Sequence, residues 1–177
     1  MRTVTVPFTK TDFARLPEGF PAQLVRGMLV KDAPPTPIHQ DVVLEIAARA
    51  RESLGRGHVF IGPFDVVIDD WSVFQPDVAI YRDAPLPRTG EPRVDTRPDV
   101  VVEVLSPRTR TRDGGVKRRL YLEHGVLEVW LVDIEERSIT VHAPGETTVF
   151  RGGDAARSTA IPGFALVPAA VFGFPTA

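Results

Sequence analysis

RPDVVVEVLSP (Arg97–Pro107) decides the fold. Within it Val100, Val101, Val102, Val104 and Leu105 form a nearly continuous apolar run. A run without alternation predicts a strand buried on both faces. Glu103 stands in its middle. A buried, unpaired carboxylate is costly, so Glu103 requires a proton, a cation or a metal ion beside it.

Working outward, the flanks turn this strand into a strand–helix–strand unit. A basic loop leads into a helix from Asp113 to about Glu123, which ends near His124-Gly125. Leu127–Asp133 is the second strand, and a crossover of this length predicts a parallel pair. Upstream, FQPDVAIY (Phe74–Tyr81) lies in a strand expected from Val73 to Tyr81, carrying Asp77. His58–Ile68 reads as strand broken at Gly62-Pro63. Residues 82–98 form a long loop rich in proline and charge.

Ile38–Leu54 reads as a long helix, with His39, Val43, Ile46, Ala47, Ala50 and Leu54 on one face. Thr36 is its expected cap, Pro37 its first residue and Gly55 its end. Leu24–Val30 reads as a strand interrupted by Gly27, with a hairpin to a neighbour as the alternative. Ser138–His142 and Thr147–Phe150 read as further strands, and the apolar tail IPGFALVPAAVFGF as a strand and short helix.

The 177 residues fit one domain spanning 1–177, with a sizeable core. There is no cysteine, which excludes disulfides and thiolate metal sites and suits a cytoplasmic protein. No apolar run is long enough to span a membrane, so no membrane partner is expected. With 21 Lys and Arg against 23 Asp and Glu, the net charge is −2. A nucleic-acid contact must therefore be a local patch rather than a general property of the surface.

Asp77 and Glu103 are the carboxylates that pair best. Asp99 is the rival, but it lies four residues from Glu103 on the same strand, about 13 Å away. Asp77 belongs to another strand, which could neighbour that of Glu103 at about 4.8 Å. Two such carboxylates, with water and the main-chain carbonyl of Val104, could hold one hard cation, Mg²⁺ or Mn²⁺. Lys117 shares a helix face with Tyr121 and could reach the Glu103 region. A lysine there would orient water and offset charge building on a phosphate.

Pro76-Asp77 followed by Glu103-Val104-Leu105 resembles the PD-(D/E)xK nuclease signature, with Leu105 standing where its final lysine would be. QPDVAIY and RPDVVVEVLSPRTRTRDGGVKRRLYLEHGVLEVWLVD are similar to the bacterial Uma family of restriction-endonuclease-like proteins. The resemblance is densest from Gln75 to Asp133 and extends loosely over most of the chain. It implies an α/β, restriction-endonuclease-like fold, a mixed β-sheet flanked by helices. It also implies metal-dependent hydrolysis of DNA phosphodiesters, with Lys117 as a lysine migrated to the following helix. Duplex-cutting enzymes of this kind often pair, so a homodimer is expected.

Each residue also has a plainer reading. Asp77 could cap a turn, and Glu103 could pair with an arginine of the 108–119 segment. Lys117 could be solvated and paired with Asp113. Tyr121 reads as a packing residue with a locally bonded hydroxyl. His39, on the apolar helix face, reads as a structural histidine with an auxiliary role as the alternative. Glu45 falls on the polar face, and Ser106 lacks a visible histidine–acid pair. Arg108, Arg110, Arg112 and Arg118 form a solvated charged run or a phosphate grip. The rival to an enzyme is a non-catalytic nucleic-acid-binding or accessory protein on a nuclease fold. Replacing Asp77 or Glu103 by alanine is expected to abolish cleavage and leave the fold intact.

Overall fold

A computed structural model describes residues 7–17, 19–31, 34–83, 93–94, 96–106 and 112–173, with 93–94 and 112–114 as backbone only. Its elements run α1 (Lys10–Phe13), β1 (Ala22–Val25), β2 (Met28–Lys31), α2 (Pro37–Leu54), β3 (Val59–Ile61), β4 (Asp65–Asp69), β5 (Ser72–Phe74), β6 (Val78–Ile80), β7 (Arg93–Val94) and β8 (Val100–Leu105). A π-helical segment (Arg112–Lys117) then leads into α3 (Arg118–Glu123), β9 (Glu128–Asp133), β10 (Ser138–Ala143), β11 (Glu146–Arg151), β12 (Ala156–Arg157), β13 (Ala165–Leu166) and α4 (Pro168–Val171).

Two larger sheets result. One has six strands in the order β11-β10-β9-β8-β6-β3, the other five in the order β2-β1-β5-β4-β7. The valine run forms β8, parallel to β9 and antiparallel to β6. Its burial on both faces is as expected. Val100, Val102 and Val104 join a core with Val42, Val43 and Ile46 of α2, while Val101 and Leu105 face Leu120 and Tyr121 of α3. Phe74 and Val66 of the five-stranded sheet close that second core.

α2 starts and stops as its sequence predicts. The Thr36 hydroxyl accepts the His39 N–H at 3.3 Å, Pro37 opens the helix, and Gly55 at φ +85° ends it. Leu24–Val30 is a hairpin rather than one strand, turning at Arg26-Gly27 with both φ values positive.

The expected strand from Val73 to Tyr81 is instead two strands, and the break matters for the site. β5 belongs to the five-stranded sheet and β6 to the six-stranded one. Gln75-Pro76-Asp77 crosses between them. Pro76 has no N–H to give a ladder, so a continuous strand is disfavoured there. Gln23 and Asp65 take up the backbone and side-chain N–H groups of Gln75. Gly62 lies against the crossing: its N–H donates to the Asp77 carbonyl at 3.0 Å, and a Cβ on it would meet the Pro76 carbonyl oxygen at 2.6 Å. Only glycine tolerates that approach without a shift of backbone.

Candidate active site

The site forms where β6 begins and β8 ends. Val78 pairs with Val102, so carrying the ladder one residue further sets Asp77 opposite Glu103. Instead of a main-chain acceptor, the Val104 N–H finds the Asp77 carboxylate, donating to Oδ2 at 2.7 Å. Nε2 of His39 stands 3.4 Å from the same oxygen. Among the described residues nothing is bonded to Oδ1. Asp77 keeps a quarter of its side chain exposed. One oxygen of Asp77 is thus anchored and the other open to a ligand.

Glu103 is buried, with only 3% of its side chain exposed, and its cation is Lys117, itself 1% exposed. Lys117 Nζ lies 2.6 Å from Glu103 Oε1, and the Tyr121 hydroxyl donates to the same oxygen at 2.9 Å. Lys117 ends the π-helical segment and Tyr121 lies one turn on, so the two share a face. Phe74 of β5 lies beneath the pair, its ring centroid 5.7 Å from Lys117 Nζ and 5.2 Å from that of Tyr121. That placement adds a cation–π attraction in a water-poor setting.

Two plainer sequence readings are therefore corrected. Lys117 is not a solvated helix residue but the buried partner of Glu103. The Tyr121 hydroxyl bonds across the fold, to that carboxylate. His39 is no ordinary core histidine either. Its Nδ1 is buried without a hydrogen-bond partner, while Nε2 faces Asp77. Burial pulls its pKa down, but Asp77, the Val104 backbone and Glu103 together raise it above the usual histidine value.

The rest of the predicted set falls elsewhere. Asp99 accepts the Arg82 N–H at 2.7 Å. Glu45 pairs with Arg49 on the exposed side of α2. Arg118 points to His142, away from Lys117. Arg108 and Arg110 lie outside the described residues, as does the Arg112 side chain. Sequence reasoning missed Phe74 and Gly62. Phe74 carries no local signal, whereas the Gly62-Pro63 pair marked a break without showing what it packs against.

The donor set suits a hard divalent cation. Asp77 and Glu103 are carboxylates on neighbouring strands, set opposite one another by the ladder, and Val104 follows Glu103 with its N–H on Asp77. Among the described residues no three His, Asp or Glu side chains converge as a ready-made metal cage. Mg²⁺ commonly binds through one or two carboxylates and completes its shell with water and phosphate oxygens.

A mixed sheet flanked by helices, with an Asp/Glu pair on adjacent strands, defines a restriction-endonuclease-like fold. The chain matches the model of the Uma2 family, described as "Putative restriction endonuclease", over residues 11–170 and belongs to that family. A crystal structure of "a putative nuclease belonging to DUF820" from Anabaena variabilis ATCC 29413 is similar in fold. The TM-score is 0.82 at 23% identity, over 94% of this chain and 98% of that one. No curated protein matches the chain in sequence. Among the described residues no helix is long and apolar enough to cross a membrane.

Proposed function

We propose that this protein is a Mg²⁺-dependent endonuclease hydrolysing DNA phosphodiester bonds, with Mn²⁺ able to substitute. The observation that carries the reading is the buried Glu103–Lys117 pair, 2.6 Å apart, on a strand whose neighbour ends in Asp77. Asp77 Oδ1, Glu103 and the Val104 carbonyl would hold the metal. When bound, the metal would lower the pKa of a water and polarise the phosphodiester. Lys117 holds a positive charge against Glu103, where it orients a water and offsets charge developing on the phosphate. Tyr121 fixes the Glu103 carboxylate. His39 and the Val104 N–H fix Asp77 Oδ2, which leaves Oδ1 turned to the ligand. Two copies of the chain would present two such sites to the strands of a duplex.

The test is calorimetric titration of Mn²⁺ with a non-cleavable oligonucleotide present, followed by plasmid cleavage. Glutamine and asparagine are the better substitutions, because Glu103→Ala would strand the buried Lys117 and risk the fold. Asp77→Asn and Glu103→Gln are expected to lose saturable binding and to lower cleavage about a thousandfold or more. His39→Ala should weaken Mn²⁺ about tenfold or more by freeing Asp77. Unchanged binding and cleavage in both carboxamide variants would remove this site from the chemistry.

A second reading is a non-catalytic nucleic-acid-binding protein on the same fold, favoured by how completely Glu103 and Lys117 are buried. It predicts salt-sensitive duplex binding with no cleavage in either metal.

A further inference from the structure

Away from the carboxylates, α3 and the β10–β11 hairpin enclose an open groove of about 490 Å³, lined by Arg118, Arg119 and Glu123 on one side and His142, Glu146 and Thr147 on the other. Arg118 occupies it unusually. Its guanidinium donates through Nη1 to His142 Nδ1 at 3.2 Å, and its Nε is buried with no hydrogen-bond partner. Among the described residues it faces no carboxylate within ion-pair distance. The contrast with Arg119, which lies 3.8 Å from Glu123, is direct.

His142 makes this arrangement possible. Arginine and threonine hydroxyls can both donate to one ring nitrogen, and Thr147 Oγ1 stands 2.9 Å from the same Nδ1. Nδ1 is therefore an acceptor and the ring is neutral. Burial, with Arg118 beside it, brings the imidazole pKa down to about 4. A neutral acceptor holds the guanidinium in place without cancelling its charge, as a carboxylate would.

The groove also has a defined relation to the site. His142 pairs with Val129, which pairs with Val101, two residues before Glu103 on β8. His142 points to the same sheet face as Val101, since Ile139 and Val141 pack on the other one. The Arg118 guanidinium, held at His142, thus stands two strands across and two residues along from Glu103, about 12 Å.

We propose that this groove binds a backbone phosphate of the nucleic acid, with Arg118 as the bidentate donor and His142 as the residue that positions it. The inference rests on the nuclease reading above and assigns a phosphate contact outside the catalytic centre. Arginine is suited to it because its planar fork matches two phosphate oxygens.

The experiment is fluorescence anisotropy of a labelled duplex in EDTA across a salt series, with melting curves confirming that each variant is folded. Arg118→Ala should reduce the slope of log K against log salt by about one. His142→Asp, which places a carboxylate against the guanidinium, should do the same with Arg118 still present. His142→Asn keeps a neutral acceptor and should retain the wild-type slope. Equal slopes in all four proteins overturn the proposal and leave the catalytic reading standing. Inorganic phosphate binding that depends on Arg118, with the duplex slope unaltered, also overturns it in favour of a small-anion site. A wild type with no salt-dependent duplex binding removes both this proposal and the nucleic-acid reading.

Discussion

Two buried glutamates on adjacent parallel strands meet opposite environments. Glu103 on β8 faces α3 and is met by the charged Lys117 and the Tyr121 hydroxyl. Glu128 on β9, directly beside Val100, faces the other side and has no cation among the described residues. Five neutral donors saturate it instead: Trp130 Nε1, the Ser158 hydroxyl, the Thr159 hydroxyl and N–H, and the Ala160 N–H, all within 2.6–3.0 Å. Glu128 pins the 158–160 loop to the sheet and has no capacity left for a ligand. Glu103 is balanced by the charge of Lys117. Equal burial is thus met in two ways, by a charged partner at Glu103 and by neutral donors at Glu128.

The largest effect should come from separating the pair. Lys117→Met removes the buried cation 2.6 Å from Glu103 and is expected to cost about 3–5 kcal/mol. Adding Glu103→Gln to Lys117→Met should recover much of that loss without recovering activity. Urea unfolding of the wild type, both single variants and the double variant measures the coupling. A Lys117→Met cost below about 1 kcal/mol would mean that the ion pair is solvated, and the contrast with Glu128 would collapse.

Glu128 should give a smaller stability effect and no effect on metal. Glu128→Ala strands several buried donors and is expected to cost on the order of 3 kcal/mol. Its pH dependence has a definite sign. Burial raises the Glu128 pKa, but the donors from Thr159, Trp130, Ser158 and Ala160 outweigh burial and hold it below its ordinary 4.5. The carboxylate then contributes its full stability above pH 4.5 and loses it as pH falls through the lower folded value. Glu128→Gln should flatten that acid limb in a melting series while Mn²⁺ affinity stays at the wild-type value. A change in Mn²⁺ affinity would show that the two faces of the sheet are coupled.

These two residues also show how far the sequence could be read. Glu103 stood out because valines surround it on both sides, and that pattern is local. Glu128 opens its strand, and all its partners but Trp130 lie about thirty residues downstream in a loop with no distinctive composition. Asp77 was legible as a candidate, but its setting was not. The expected continuous strand hid the crossing at Pro76, which frees Asp77 to accept from Val104. α2, β8, β9 and the hairpin after them were legible because caps, apolar runs and turn residues are short-range signals. Lys117, Tyr121 and Phe74 come together only through the packing of α3 between two sheets. Helical spacing grouped the first two, but nothing local brought Phe74 to them.

The smallest expected effect tests whether Tyr121 belongs with Glu103 or merely packs. Tyr121→Phe keeps the ring and its edge-on contact with Phe74 and removes only the hydroxyl. A hydrogen bond to a charged group contributes about 1.5–3 kcal/mol, and Lys117 still balances Glu103, so the low end is expected. For a chain of this size that is a fall in Tm of about 3–6 °C. If the hydroxyl fixes the carboxylate for chemistry, cleavage should fall more than that stability loss explains, with Mn²⁺ affinity nearly preserved. A variant that melts and cleaves like the wild type would return Tyr121 to the packing role that its sequence position suggested. Glu103 would then depend on its charged partner, as Glu128 depends on its neutral ones.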